Sequence, residues 1–134
     1  MRTLCLAALA AILLPGCSSM ADPDPESLGF ETEEEYRADR AELVAELEVA
    51  IGDASASSEG ACAVVAVGEK ACGGPAAYRV YSESDGDPDR VVALAADVTA
   101  LDKRAIAAFS LVSTCEALVP PTPVLVGGQC TDGR

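Results

Sequence analysis

Six cysteines and no histidine set the terms for any chemistry in this 134-residue chain. Cys62, Cys72, Cys115 and Cys130 fall where apolar and polar residues alternate as they do in a folded domain. A nucleophilic thiol needs an imidazole beside it, and the chain has none. A four-thiolate zinc site needs cysteine pairs separated by two to four residues, a spacing neither pair has. Disulfides remain. In an exported chain an even number of cysteines braces a core that is poor in aromatic residues. Three connectivities are open, and the local pairs, Cys62 with Cys72 and Cys115 with Cys130, are preferred. Each would close a short loop and stabilise by about 3 kcal/mol. No metal and no cofactor is expected.

The carboxylates give the second set of candidates. Asp85, Asp87 and Asp89 stand at alternate positions, as calcium ligands do. A calcium loop of that pattern would then need glycine where the chain has Arg90 and glutamate where it has Ala96. A capped turn accounts for them better. Asp97 and Asp102 could form a general acid and base pair. Five residues apart on a helix, they point about 140° from one another and do not converge unaided.

The elements that would position these residues read as follows. Thr32-Glu33-Glu34-Glu35 is a capping box at the start of a helix, with three acids at the positive end of its dipole. Tyr36, Leu43, Val44, Leu47, Ala50 and Ile51 recur at helical spacing, and Gly52 stops the run. Glu33 and Arg37 pair across one turn. Val64, Val65 and Val67 predict a strand, then a turn at Gly68-Glu69, and residues 76–82 alternate as a second strand. Between them Cys72-Gly73-Gly74-Pro75 must bend the chain. Asp87 caps a second helix with Pro88 at its first position. Its stripe is Val91, Leu94, Val98, Leu101, Ala105, Ala108 and Val112, widened by Val92, Ala95, Ile106 and Phe109, and it predicts an end near Ser113 or Thr114. Residues 117–130 then predict a short strand, a proline corner and a returning strand. The fold class is α+β, two helices on one small antiparallel sheet with two disulfides, over residues 31–134.

Residues 4–14 are all apolar and follow Arg2, a run too short for the roughly 20 residues a membrane helix needs. Length, the basic start and the small residue before Cys17 read as a secretory signal. Leu14, Gly16 and Cys17 match the lipobox, so residues 1–16 resemble a bacterial lipoprotein signal, with Pro15 at the loosest position. That resemblance implies cleavage before Cys17 and acylation of its thiol. Residues 17–30 are polar and proline-punctuated, a tether averaging roughly 20 Å. Ser18, where an aspartate retains some lipoproteins in the inner membrane, favours the outer membrane in a Gram-negative host.

Cys62, nine residues, then Cys72-Gly73-Gly74-Pro75-x-x-Tyr78-x-x-Tyr81-Ser82 is similar to a pattern in small bacterial lipoproteins of no established biochemical activity. Gly68, Lys70, a following helix, Cys115, two prolines and Cys130 extend the resemblance over residues 62–130. Ala76-Ala77 stands where members often have an aromatic, and Val124 or a neighbour where many have another cysteine. The resemblance implies a fold and transfers no function.

A formal net charge of −13, more negative still once Arg2 is removed, excludes a nucleic-acid partner and attraction to anionic lipid. Acyl chains on Cys17 must hold the membrane. The expected function is a non-catalytic envelope lipoprotein with a binding or structural role toward an envelope or host protein. Its expected contact loop is Gly73, Gly74, Pro75, Tyr78 and Tyr81. An inhibitor of an exported or host lysozyme or protease is the specific alternative, and a carboxylate enzyme the weaker one.

Overall fold

A computed structural model describes residues 30–133. The expected signal at 1–16, the expected lipobox with Cys17 and residues 17–29 of the expected tether lie outside the described residues. Helix α1 (Glu33–Ile51) begins as its sequence dictates: Thr32 Oγ1 accepts from the Glu35 amide at 3.2 Å, and the Glu35 carboxylate accepts from the Thr32 amide at 3.1 Å. At the other end the Gly52 amide donates to the Glu48 carbonyl with φ +57, a backbone state in which glycine carries no steric penalty. Leu47 and Ile51 are buried, while Tyr36, Leu43 and Val44 are half-buried along the same side.

Helix α2 (Pro88–Phe109) is capped by Asp87, whose carboxylate accepts from the Arg90 amide at 3.0 Å. Val91, Leu94, Ala95, Val98, Leu101 and Ala105 form its buried face. The helix ends at Phe109, four residues short of Ser113, and Ser110 caps it in left-handed geometry, φ +51. Val112 therefore lies beyond the helix and is exposed, and Ala108 and Val92, although helical, are exposed as well rather than part of the core face. The early stop turns the chain back so that Cys115 reaches the loop carrying Cys72.

The single expected sheet is two separate two-stranded antiparallel ribbons. Strands β1 (Cys62–Val67) and β2 (Ala77–Ser82) pair with Val64 opposite Val80 and Ala63 opposite Tyr81. Their connection turns on Gly73 and Gly74, φ +88 and +81, with the Lys70 amide donating to the Gly74 carbonyl at 2.9 Å. The second ribbon, β3 (Val124–Val126) and β4 (Gln129–Thr131), closes through Gly127-Gly128, both at positive φ, the requirement of a tight two-residue hairpin. It is tied to the loop after α1 where the Cys130 amide donates to the Ala54 carbonyl and the Ala56 amide to the Gly128 carbonyl, each at 2.9 Å. No strand forms over residues 117–119, whose backbone meets no neighbouring strand; Pro120, Pro121 and Pro123 lack amide donors and stop a ladder from continuing through them, and the strand pair begins at Val124.

Leu47, Ile51, Val67, Tyr81, Val91 and Val98 make the main core between the helices and the β1–β2 ribbon. A smaller cluster of Phe30, Leu101 and Ala105 extends it, with the Phe30 ring tilted against Tyr36 and Phe109 at centroid distances of 5.7 and 5.8 Å.

The preferred local disulfide pairing is overturned. Cys62 bonds Cys130 and Cys72 bonds Cys115, with Cα separations of 5.4 and 5.2 Å. The reason is the length of β1: from Cys62 to Val67 an extended strand advances about 17 Å, so Cys62 and the loop holding Cys72 lie at opposite ends of the ribbon. Bridges spanning 68 and 43 residues constrain the unfolded chain more than local ones, by about 4 kcal/mol each taken alone. Cys72 and Cys115 are exposed, whereas Cys130 is buried. Mass mapping of a digest under non-reducing conditions is expected to recover these two pairs. Mild reduction followed by alkylation should label Cys72 and Cys115 first; the reverse order would refute the burial difference.

Candidate functional site

Two places in this fold gather polar or apolar groups beyond what simple packing needs. The first is the carboxylate of Asp102, 2% exposed on the buried face of α2. Tyr36 and Arg40 are four residues apart and so share one side of α1, the side that faces α2. The Tyr36 hydroxyl donates to Asp102 Oδ1 at 2.9 Å and Arg40 Nε donates to the same atom at 2.8 Å. Arg40 Nη2 and the Glu69 amide donate to Oδ2 at 3.3 and 3.0 Å. Four donors occupy about the four lone-pair sites that a carboxylate presents. Burial pushes the Tyr36 phenol above its ordinary pKa, and the bond to Asp102 adds to the rise. The bond to Asp102 likewise raises the Arg40 guanidinium, against its partial burial.

Gly68 precedes Glu69 with φ +72, and a Cβ on it would collide with Asp102 Oδ2 and crowd Arg40 Nη2 at 3.0 Å. The Gly68-Glu69 turn is thus required twice, for its backbone geometry and for access of the Glu69 amide to the carboxylate. Beside the network lies a cleft of about 270 Å³, lined by Arg40, Glu69, Lys70, Ile106, Leu111 and Ser113. It holds both signs of charge next to apolar side chains, and Lys70 Nζ is engaged by the Glu116 carbonyl.

The second place is the segment leaving α2. Residues 111–123 run without helix, strand, turn or bend. Leu118 and Val119 are exposed on it, and Val119 lines two clefts of about 470 and 390 Å³.

Tertiary structure separates the residues singled out from sequence. The four cysteines are consumed in the two bridges. Asp97 is exposed and Asp102 is buried and saturated, so no acid and base pair is assembled. Gly73 and Gly74 are exposed as a contact loop requires, and Pro75 and Tyr78 are half-buried. Tyr81 is not available for contact: at 7% exposure it belongs to the core, because it faces inward from β2. Two further glutamates of α1 find cations on other elements. Arg79 of β2 meets Glu48 at 2.6 Å and Arg90 of α2 meets Glu46 at 2.8 Å. Asp102 itself carried a sequence signal, since it falls four residues after Val98 on the predicted apolar stripe. A charged residue in that register must find partners.

No protein-family profile, no curated protein and no solved structure matches this chain.

Removing one partner from a buried ion pair costs more than removing a neutral donor. In urea unfolding, Arg40→Met is expected to destabilise by about 3 kcal/mol and Tyr36→Phe by about 1 kcal/mol. Gly68→Ala should cost more than about 1 kcal/mol. Equal losses for Arg40→Met and Tyr36→Phe would remove the ion pair from its central role. Alkaline titration offers a separate check. The Tyr36 and Tyr81 phenols are both raised above 10, Tyr81 by burial first and then by Glu83 and Asp89. The unfolded chain loses these protons at lower pH than the folded one, so their stabilisation is complete below pH 10 and fades as pH rises beyond it. Phenolate absorbance should show two tyrosines ionising late, and Tyr36→Phe should flatten the alkaline loss of stability.

Proposed function

We infer that this chain is a non-catalytic lipoprotein of a bacterial cell envelope, anchored by acyl chains on Cys17, whose folded part binds a protein partner or has a structural role. The observation that carries the reading is the pair of long-range disulfides. Cys62–Cys130 and Cys72–Cys115 join elements remote in sequence and suit a chain that folds in an oxidising compartment. The lipobox at Leu14, Gly16 and Cys17 supports export and anchoring, and Ser18 favours the outer membrane in a Gram-negative host. No helix among the described residues is long and apolar enough to cross a membrane, which is compatible with a lipid anchor. The non-catalytic part of the reading rests on where the reactive groups go. The described cysteines are bridged, and the carboxylate that is deeply buried among the described residues, Asp102, has its lone pairs occupied by Tyr36, Arg40 and Glu69.

Intact mass of the protein extracted from membranes, taken before and after reduction and alkylation, tests this directly. The expected chain begins at Cys17 with a diacyl or triacyl increment and takes up alkylating reagent only after reduction. A lipid-free mass would refute the anchor, and a thiol alkylated in the native protein would reopen cysteine chemistry.

A further inference from the structure

The segment between α2 and β3 is fixed in place yet pairs with nothing along its middle. Cys115 is bridged to Cys72, and Lys70 Nζ donates to the next carbonyl, that of Glu116. At the far end the chain enters β3 at Val124. Pro120, Pro121 and Pro123 set their own φ near that of extended chain and push Val119, Pro120 and Thr122 away from helical geometry. Among the described residues, the amides and carbonyls of Ala117, Leu118 and Val119 have no hydrogen-bond partner. Within these three unpaired residues Val119 is the exposed side chain, at 81%, while Leu118 is 38% exposed; Val112, at 94%, lies before the Cys115 bridge.

Three consecutive peptide groups free for pairing, on a stiff extended backbone that displays an aliphatic side chain, form a ready-made added strand. The entropy of ordering such a segment is largely spent in folding, so binding costs less. A serine protease reads its substrate in this way, pairing with an extended backbone and seating one side chain in a specificity pocket. Here the bond after the projecting residue is Val119–Pro120. Proline has no N–H, and its ring crowds the leaving nitrogen, so a protease seated on Val119 holds a bond it cuts poorly.

We propose that residues 115–121 form a substrate-like, cleavage-resistant loop that inhibits an exported serine protease with a small aliphatic specificity pocket, with Val119 in that pocket. This rests on the exported reading above and moves the contact surface from the 73–81 loop to the segment that Cys72–Cys115 braces.

The test uses the full oxidised chain extracted in detergent, titrated against pancreatic elastase with a chromogenic peptide substrate. Trypsin, whose pocket takes a basic side chain, is the control. Competitive inhibition of elastase and not of trypsin is expected, with the chain still intact by mass after prolonged incubation. Val119→Asp should weaken inhibition at least about tenfold, as a central anchor does. Because Val119 is exposed, its thermal midpoint should not move. Lack of inhibition, cleavage beside Val119 at an ordinary substrate rate, or inhibition indifferent to Val119→Asp would each overturn the proposal. So would concentration-dependent dimerisation through this segment without any effect on elastase, which assigns it to a second copy. An unlipidated chain that still inhibits would keep this inference while refuting the anchor, and a lipidated chain that fails to inhibit would do the reverse.

Discussion

The carboxylate of Asp102 is 2% exposed, and a charge held that far from water must be met by donors from whatever surrounds it. Those donors come from three places far apart in sequence: Tyr36 and Arg40 on α1, and the Glu69 amide in the loop after β1. A single group on α2 thereby sets the rotation of α1 about its axis and the position of the β1–β2 connection. Gly68 follows as a requirement, since a side chain there would occupy the space of the carboxylate. Helix packing through Leu47, Val91 and Val98 provides the larger share of burial, but apolar contact is non-directional and does not by itself choose one register.

The disulfides complete what the ion pair leaves undone. Cys62–Cys130 joins the start of β1 to the small β3–β4 hairpin, which is too short to persist alone. Cys72–Cys115 joins the glycine-rich connection to the segment beyond α2 and holds it over the cleft beside Asp102. The early end of α2 at Ser110 makes that second bridge geometrically possible. With a core carrying few aromatic residues, covalent bracing of the periphery lets loops remain extended and exposed without fraying. Rigidity at the loops is also what an interaction surface needs, because little order remains to be imposed on binding.

Local interactions were legible in the sequence because they depend on neighbours within a turn. The Thr32 capping box, the Asp87 cap with Pro88, the positive-φ pair Gly73-Gly74 and the i,i+4 bond of Arg37 to Glu33 at 2.6 Å all follow from residue type and spacing. The period of the apolar residues likewise fixes which faces of α1 and α2 turn inward, and two helices with strands define the α+β class. What spacing cannot report is which distant groups meet. Cysteine pairing, the division into two ribbons, the burial of Tyr81 and the pairing of Arg79 and Arg90 with acids of α1 are all non-local. Asp102 stands on the border between the two: its place on the apolar stripe of α2 is written in the sequence, as its distance from Val98. Its partners were decided only by the tertiary structure, because hydrogen-bond geometry between helices depends on how the chain closes in space.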